Sequence, residues 1–262
     1  MAKSAKAESV AQQTAVRLRR AFGAWLKLLG TEDVWDWVAT QRNRRQVRSL
    51  LSRFKPPTTE DDEGLAGVLS GLSRSKYLVE AALTWADPCI GPGPTRTALA
   101  RGEQWQLAIA WAGVECQIKA VLEIEDNGVK SAKIDEFVTA CGLADQYVEL
   151  APPRRELKDL RRWLKAERRF DREAILVYLG PTAKHEEKGI LCDWLVRGNS
   201  IKRWSDALRL AQQLRHKTAH GALSATKACT WGLRPAFRRL VIDLAVVTAR
   251  VFEKMGEGQE MG

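Results

Sequence analysis

The chain has 262 residues, of which 45% are hydrophobic and ten are tryptophans, so it can bury a sizeable core and is not a disordered tail. Forty-two Lys and Arg against 32 Asp and Glu leave a net charge of +10, which points to an acidic partner: RNA, DNA, an anionic membrane or an acidic protein. Five cysteines (Cys89, Cys116, Cys141, Cys192 and Cys229) form no C-x-x-C pair and are odd in number, which argues against a disulfide framework or a zinc ribbon.

Residues 1–13 lack the apolar core of a signal peptide, and no segment has the apolar length of a membrane span, so the expected location is the cytoplasm. Helical periodicity dominates from the start. Val10, Thr14, Leu18, Phe22 and Trp25 recur at three- and four-residue steps, which predicts a helix over residues 10–29 with Gly30 placed to end it. Thr31 can cap a second helix running to about Phe54, where Lys55-Pro56-Pro57 stops it. A third helix is expected over 60–85, with Gly64, Gly67 and Gly71 in its first half. Three prolines and two glycines in residues 87–94 mark the clearest break. They divide an N-terminal helical region (1–96) from a second helical bundle (97–255), followed by a frayed tail (256–262).

Beyond the break, residues 97–124 read as a long apolar helix. Trp105, Ala108, Ala112, Glu115, Lys119 and Leu122 fall near one stripe, with Leu107, Trp111 and Ile118 beside it. A short helix over 131–141 should end at Gly142. Pro152-Pro153 opens a helix expected over 154–179. Asn199 or Ser200 can cap the next helix, and a last one is expected over 225–255 with Pro235 as a kink or a start. No strand is expected, so the fold class is all-α.

Two stretches concentrate positive charge. Residues 41–55 carry Arg42, Arg44, Arg45, Arg48, Arg53 and Lys55 with no acid. Residues 154–172 carry nine basic and four acidic residues, with Arg155, Lys158, Arg162, Lys165, Arg169 and Arg172 recurring at threes and fours. Both suit a phosphate backbone, with a solvated helix face as the alternative for the second.

Chemistry concentrates in Leu-Arg-His-Lys-Thr-Ala-His-Gly, residues 214–221, which holds two of the chain's three histidines. Histidine moves protons near neutral pH and arginine holds phosphate. Arg215 lies eleven residues past Trp204, three helical turns, which would continue a buried face marked by Ile201, Trp204, Leu208 and Ala211. His216 and His220 are four apart, one helical turn, a spacing that can suggest zinc. However, Lys217 stands where a helical zincin needs glutamate, and a neighbouring cation opposes a divalent ion. No metal or other cofactor is therefore expected. Gly221 is a natural helix C-cap that would leave His220 on the last turn.

Arg215, a polar His216, three residues and then His220 resemble the signature of the HEPN superfamily, the all-α domains of many prokaryotic RNases and toxins. Gly221 matches the glycine that often follows in one large subgroup. Upstream, the run from Trp105 to Glu115 is similar to that subgroup's earlier helix, where an apolar segment ends in a glutamate. The resemblance covers roughly residues 98–255. It implies metal-independent RNA cleavage by 2′-OH attack on the adjacent phosphate, with His220 as general acid or base and Arg215 on the phosphoryl oxygens. His216 would orient a neighbour or a phosphate, and Glu115 would either serve Arg215 and His220 or act as a structural carboxylate.

Residues five apart on a straight helix point about 140° apart. Either the helix loosens at His220, or two chains share one cleft, as HEPN dimers do. The partners so implied are RNA, a second copy of the chain, and an antitoxin or activating protein. The rival reading is a non-catalytic RNA-binding or scaffold protein on the same bundle.

Overall fold

A computed structural model describes residues 2–29, 41–54, 62–85, 94–124, 128–143, 147–153 and 189–257. These residues are mostly helical, and among them no strand occurs beyond one isolated antiparallel bridge between Leu150 and Ile201. The all-α class expected from the periodicities is the class observed. The helices are α1 (Ala2–Leu29), α2 (Gln41–Leu51), α3 (Asp62–Thr84), α4 (Arg96–Leu122), α5 (Ser131–Ala140), α6 (Trp204–Ala219), α7 (Ala225–Thr230) and α8 (Arg234–Gly256). A π-helical turn spans Cys192–Arg197. The helix expected over 154–179 lies outside the described residues, as do the break at 87–93 and Thr31.

The chain divides into two compact units that interleave along the sequence. One takes Met1–Thr84, Ile109–Leu143 and Ile242–Gly262; the other takes Trp85–Ala108 and Ala144–Val241.

In the first unit the stripe of α1 is buried as its spacing requires: Thr14, Leu18, Phe22 and Trp25 are all inside, and only Val10 at the outer end is exposed. Phe22 and Trp25 meet Phe252 of α8, with ring centroids 5.1 and 5.4 Å apart. Aromatic pairs at that separation add to the area they bury. Arg17 of α1 makes a two-pronged bond to Glu253, both contacts 2.7 Å.

Helix ends in this unit are closed by cations from other elements. Arg53 donates to the carbonyls of Lys254 and Met255 at the end of α8, and Lys254 donates to Ala140 O at the end of α5. Terminal carbonyls lack intrahelical donors and attract positive charge, so both bonds are favourable.

Helices α3 and α4 approach closely at glycine. A Cβ on Gly113 would lie 2.7 Å from Val79 Cγ2 and 2.9 Å from the Ser75 carbonyl. Gly67 is different, since a Cβ there would meet nothing within 4 Å.

On α4 the buried stripe is Ala100, Leu107, Trp111, Val114, Ile118 and Val121. The neighbouring stripe through Trp105 is the less buried of the two: Trp105 is 47% exposed, Ala108, Ala112, Glu115 and Lys119 are half-buried, and Leu122 at its end is buried. The reason is composition, because the Leu107 stripe carries the larger aliphatic side chains and buries more apolar area.

In the second unit, α6 begins at Trp204, later than a cap at Asn199 or Ser200 would place it. The chain leaves the π-helical turn through left-handed Gly198 (φ 79°), and Asn199 N–H donates to Asp193 O. Ile201 then pairs with Leu150 through reciprocal bonds of 3.0 and 3.1 Å. That bridge holds the backbone extended until Arg203. Trp194 Nε1 donates to Leu150 O at 3.3 Å, and the buried Gln213 side chain accepts Leu191 N–H at 3.2 Å. Pro235 is the second residue of α8, a start rather than a kink, where its missing N–H leaves no bond unmade. The break before it is left-handed Gly232 (φ 65°).

The two glycines make opposite predictions. Gly113→Ala overpacks the crossing and should destabilise the fold by about 1–3 kcal/mol. Gly67→Ala removes a mid-helix glycine with open space above it and should stabilise by about 0.5–1 kcal/mol. Thermal unfolding checks both: a lowered Tm for the first and an unchanged or raised Tm for the second. Equal shifts in the two variants would contradict the close-crossing account.

Candidate functional site

Helix α6 carries Arg215 and His216 near its C-terminus, and His220 follows as its cap. Ala207, Leu208, Leu210, Ala211, Gln213, Leu214 and Lys217 form the buried side. Arg215 and His216 are half-buried, and Ala219, His220 and Gly221 are exposed. Ile201, Leu208 and Ala211 are buried, and Arg215, four residues past Ala211 and seven past Leu208, follows their stripe and is itself half-buried, as is Trp204 at the start of the helix. Among the described residues no hydrogen bond or ion pair engages the Arg215 guanidinium.

The two histidines are neighbours, with ring centroids 4.3 Å apart and planes inclined at 55°. His220 is the C-cap, at φ −90° and ψ 11°, and its N–H still bonds His216 O at 3.0 Å, so its imidazole keeps the helical register over His216 and diverges from Arg215 as a straight helix requires. Gly221 follows in the left-handed region at φ 70°. Glycine enters that region without a Cβ penalty. Its N–H bonds Thr218 O at 3.0 Å, and Leu223 N–H bonds Lys217 O at 2.9 Å, so the last carbonyls of α6 find donors.

What holds this turn is a residue that sequence reasoning missed. Gln104 of α4, 3% exposed, donates through Nε2 to Thr218 Oγ1 at 3.2 Å and to Leu223 O at 2.8 Å. One amide therefore ties the last turn of α6 to the loop behind it. Ser224 then caps α7 by accepting Lys227 N–H at 3.2 Å, and Lys227 Nζ reaches Ala222 O at 3.4 Å.

The residue beside it does similar work toward α8. Glu103 accepts two hydrogen bonds of 2.8 Å from Arg234 and lies 3.3 Å from Arg238 Nε. The Arg238 Nε–H finds no hydrogen-bond acceptor, so that second contact is coulombic rather than directional. The bonds from Glu103 hold Arg234 above the usual guanidinium pKa, against the opposing pull of burial. No local signal marks either residue, because their partners lie more than a hundred positions away.

Glu115 is half-buried and sits 3.7 Å from Lys119 one turn along α4, within the first compact unit. The α4 carboxylate that meets arginines in the unit holding the motif is Glu103. Of the α2 arginines, Arg45 is exposed, Arg44 and Arg48 are half-buried with partners in the fold, and only the backbone of Arg42 is described. Arg155, Lys158, Arg162, Lys165 and Arg169 lie outside the described residues. Among the described residues no three His, Cys, Asp or Glu side chains gather as a metal site, and no helix is long and apolar enough to cross a membrane.

Gln104→Ala should destabilise the protein by about 1–3 kcal/mol, because the Leu223 carbonyl is left buried without its donor. A lowered Tm in a thermal melt is the expected result. An unchanged Tm would show that the turn does not depend on this amide.

Compared with known proteins, the chain matches no family model, no curated protein and no solved structure.

Proposed function

We propose that the protein is a metal-independent endoribonuclease of HEPN type that works through Arg215 and His220. One observation carries the reading: a guanidinium with no described partner and two adjacent imidazoles lie at the C-terminal end of α6, whose last turn is clamped by Gln104. A held turn favours catalysis because proton transfer demands a fixed geometry.

In this mechanism the ribose 2′-oxygen attacks the adjacent phosphorus. The O2′–P bond forms as the P–O5′ bond breaks, giving a 2′,3′-cyclic phosphate and a 5′-hydroxyl. His220 moves a proton, either taking it from the 2′-hydroxyl or giving one to the leaving oxygen. Arg215 binds the non-bridging oxygens and stabilises the charge that builds on them. His216, packed on His220, orients that ring. A homodimer joining two copies of the motif would complete the cleft, and a defence, stress or toxin role under a neutralising or activating protein fits the same chemistry.

His220→Ala should lower the rate of RNA cleavage by about 10²- to 10⁴-fold while RNA affinity stays near wild type. Arg215→Ala should lose activity and also some affinity, because arginine holds phosphate in ground and transition states alike. Neither effect should need a metal, so cleavage by wild type persists in EDTA. Gel assays on total RNA decide the matter: if the histidine variant cuts as fast as wild type, the reading is wrong and the non-catalytic RNA-binding reading replaces it.

Helix α2 supplies the proposed backbone contacts. Neutralising Arg44, Arg45 and Arg48 together should weaken RNA binding and flatten its salt dependence. The log–log slope should fall by about 0.7 for each phosphate of a single strand that is no longer neutralised. Binding titrations from low to moderate salt test this, and an unchanged slope would return α2 to the role of a solvated face.

A further inference from the structure

We propose that His216 and His220 form a two-histidine site for a divalent transition-metal ion of the Zn²⁺ type, and that its occupancy switches the proposed nuclease off. The second half rests on the nuclease reading; the first does not.

The imidazoles stand one helical turn apart and in contact, with centroids 4.3 Å apart and planes inclined at 55°; rotation of the exposed His220 ring, opening the centroids to about 5 Å, brings one ring nitrogen of each onto a single tetrahedral ion. His220 is exposed and His216 half-buried, so the remaining coordination positions are open to water. Imidazole is a ligand type that suits zinc, copper and nickel. The ion would sit at the C-terminal end of α6, where the helix dipole favours positive charge.

Lys217 was the sequence's argument against a metal. Its side chain is 3% exposed and belongs to the packed side of α6, whereas the imidazoles lie on the solvent-facing side. His216 also has another interaction in the fold. A ligating imidazole uses one ring nitrogen and keeps the other for such a contact, which sets its tautomer.

Two protein ligands make an adjustable site rather than a structural one, and that is the character of a switch. The lone pair that would bind the ion is the one that would accept a proton. An occupied His220 therefore cannot transfer it, and the ion inhibits instead of assisting.

Isothermal titration of Zn²⁺ into the full chain, in a buffer that does not chelate, tests the site. Wild type and His185→Asn, which removes the third histidine, should bind alike. His216→Asn and His220→Asn should each weaken binding by about tenfold or more. Circular dichroism confirms that both variants stay folded. Equal affinity in wild type and His220→Asn, or no binding to wild type up to about 1 mM, overturns the proposal.

A cleavage assay on the same samples reads the switch. Activity should fall as Zn²⁺ fills the site and return with EDTA. Full occupancy with undiminished cleavage overturns the inhibitory role. A wild type that binds zinc but never cuts RNA condemns the nuclease reading alone and leaves the metal site standing.

Discussion

A buried carboxylate and a buried amide, adjacent on α4, hold the unit that carries the motif. Glu103 binds the first residue of α8 through two charge-assisted hydrogen bonds, and Gln104 binds the last turn of α6 and the loop behind it. Such bonds are worth most where water is excluded, and losing one partner there is worse than never having had it. Glu103 and Gln104 are 8% and 3% exposed, so both meet that condition. Without Gln104 the turn at Gly221 would rest on its own backbone bonds, and the exposed His220 on its contact with His216.

Positive charge is divided between structural work and surface. Arg53 closes the end of α8, Lys254 closes the end of α5, Arg17 is bound by Glu253, and Arg234 by Glu103. Those residues count toward the net charge of +10 but are engaged inside the fold. Arg45 on α2 and Arg215 on α6 are different, since no described carboxylate answers either. The distinction matters for any polyanionic partner, because a phosphate must compete with an existing partner at the first group and not at the second.

Much of the helical architecture was legible in the sequence, for a local reason. The stripe from Thr14 to Trp25, the ends at Gly142 and Gly221 and the start at Pro235 each depend on residues within a turn or two. An error arose where a distant contact decides. Helix α6 starts late because Ile201 is paired with Leu150, fifty-one positions earlier. The motif residues were found as chemical types at a spacing. Gln104 and Glu103, which position them, could not be found that way, because a glutamine and a glutamate on a helix look like ordinary solubilising residues until their partners are known.

The chemistry proposed for Arg215 and His220 leaves a mark on its products. Mass spectrometry of the new RNA ends, after incubation with the purified chain in EDTA, tests it most directly. The account predicts 2′,3′-cyclic phosphates, or the 3′-phosphates they hydrolyse to, opposite 5′-hydroxyls. Products with 3′-hydroxyls and 5′-phosphates, or RNA left intact, would contradict it.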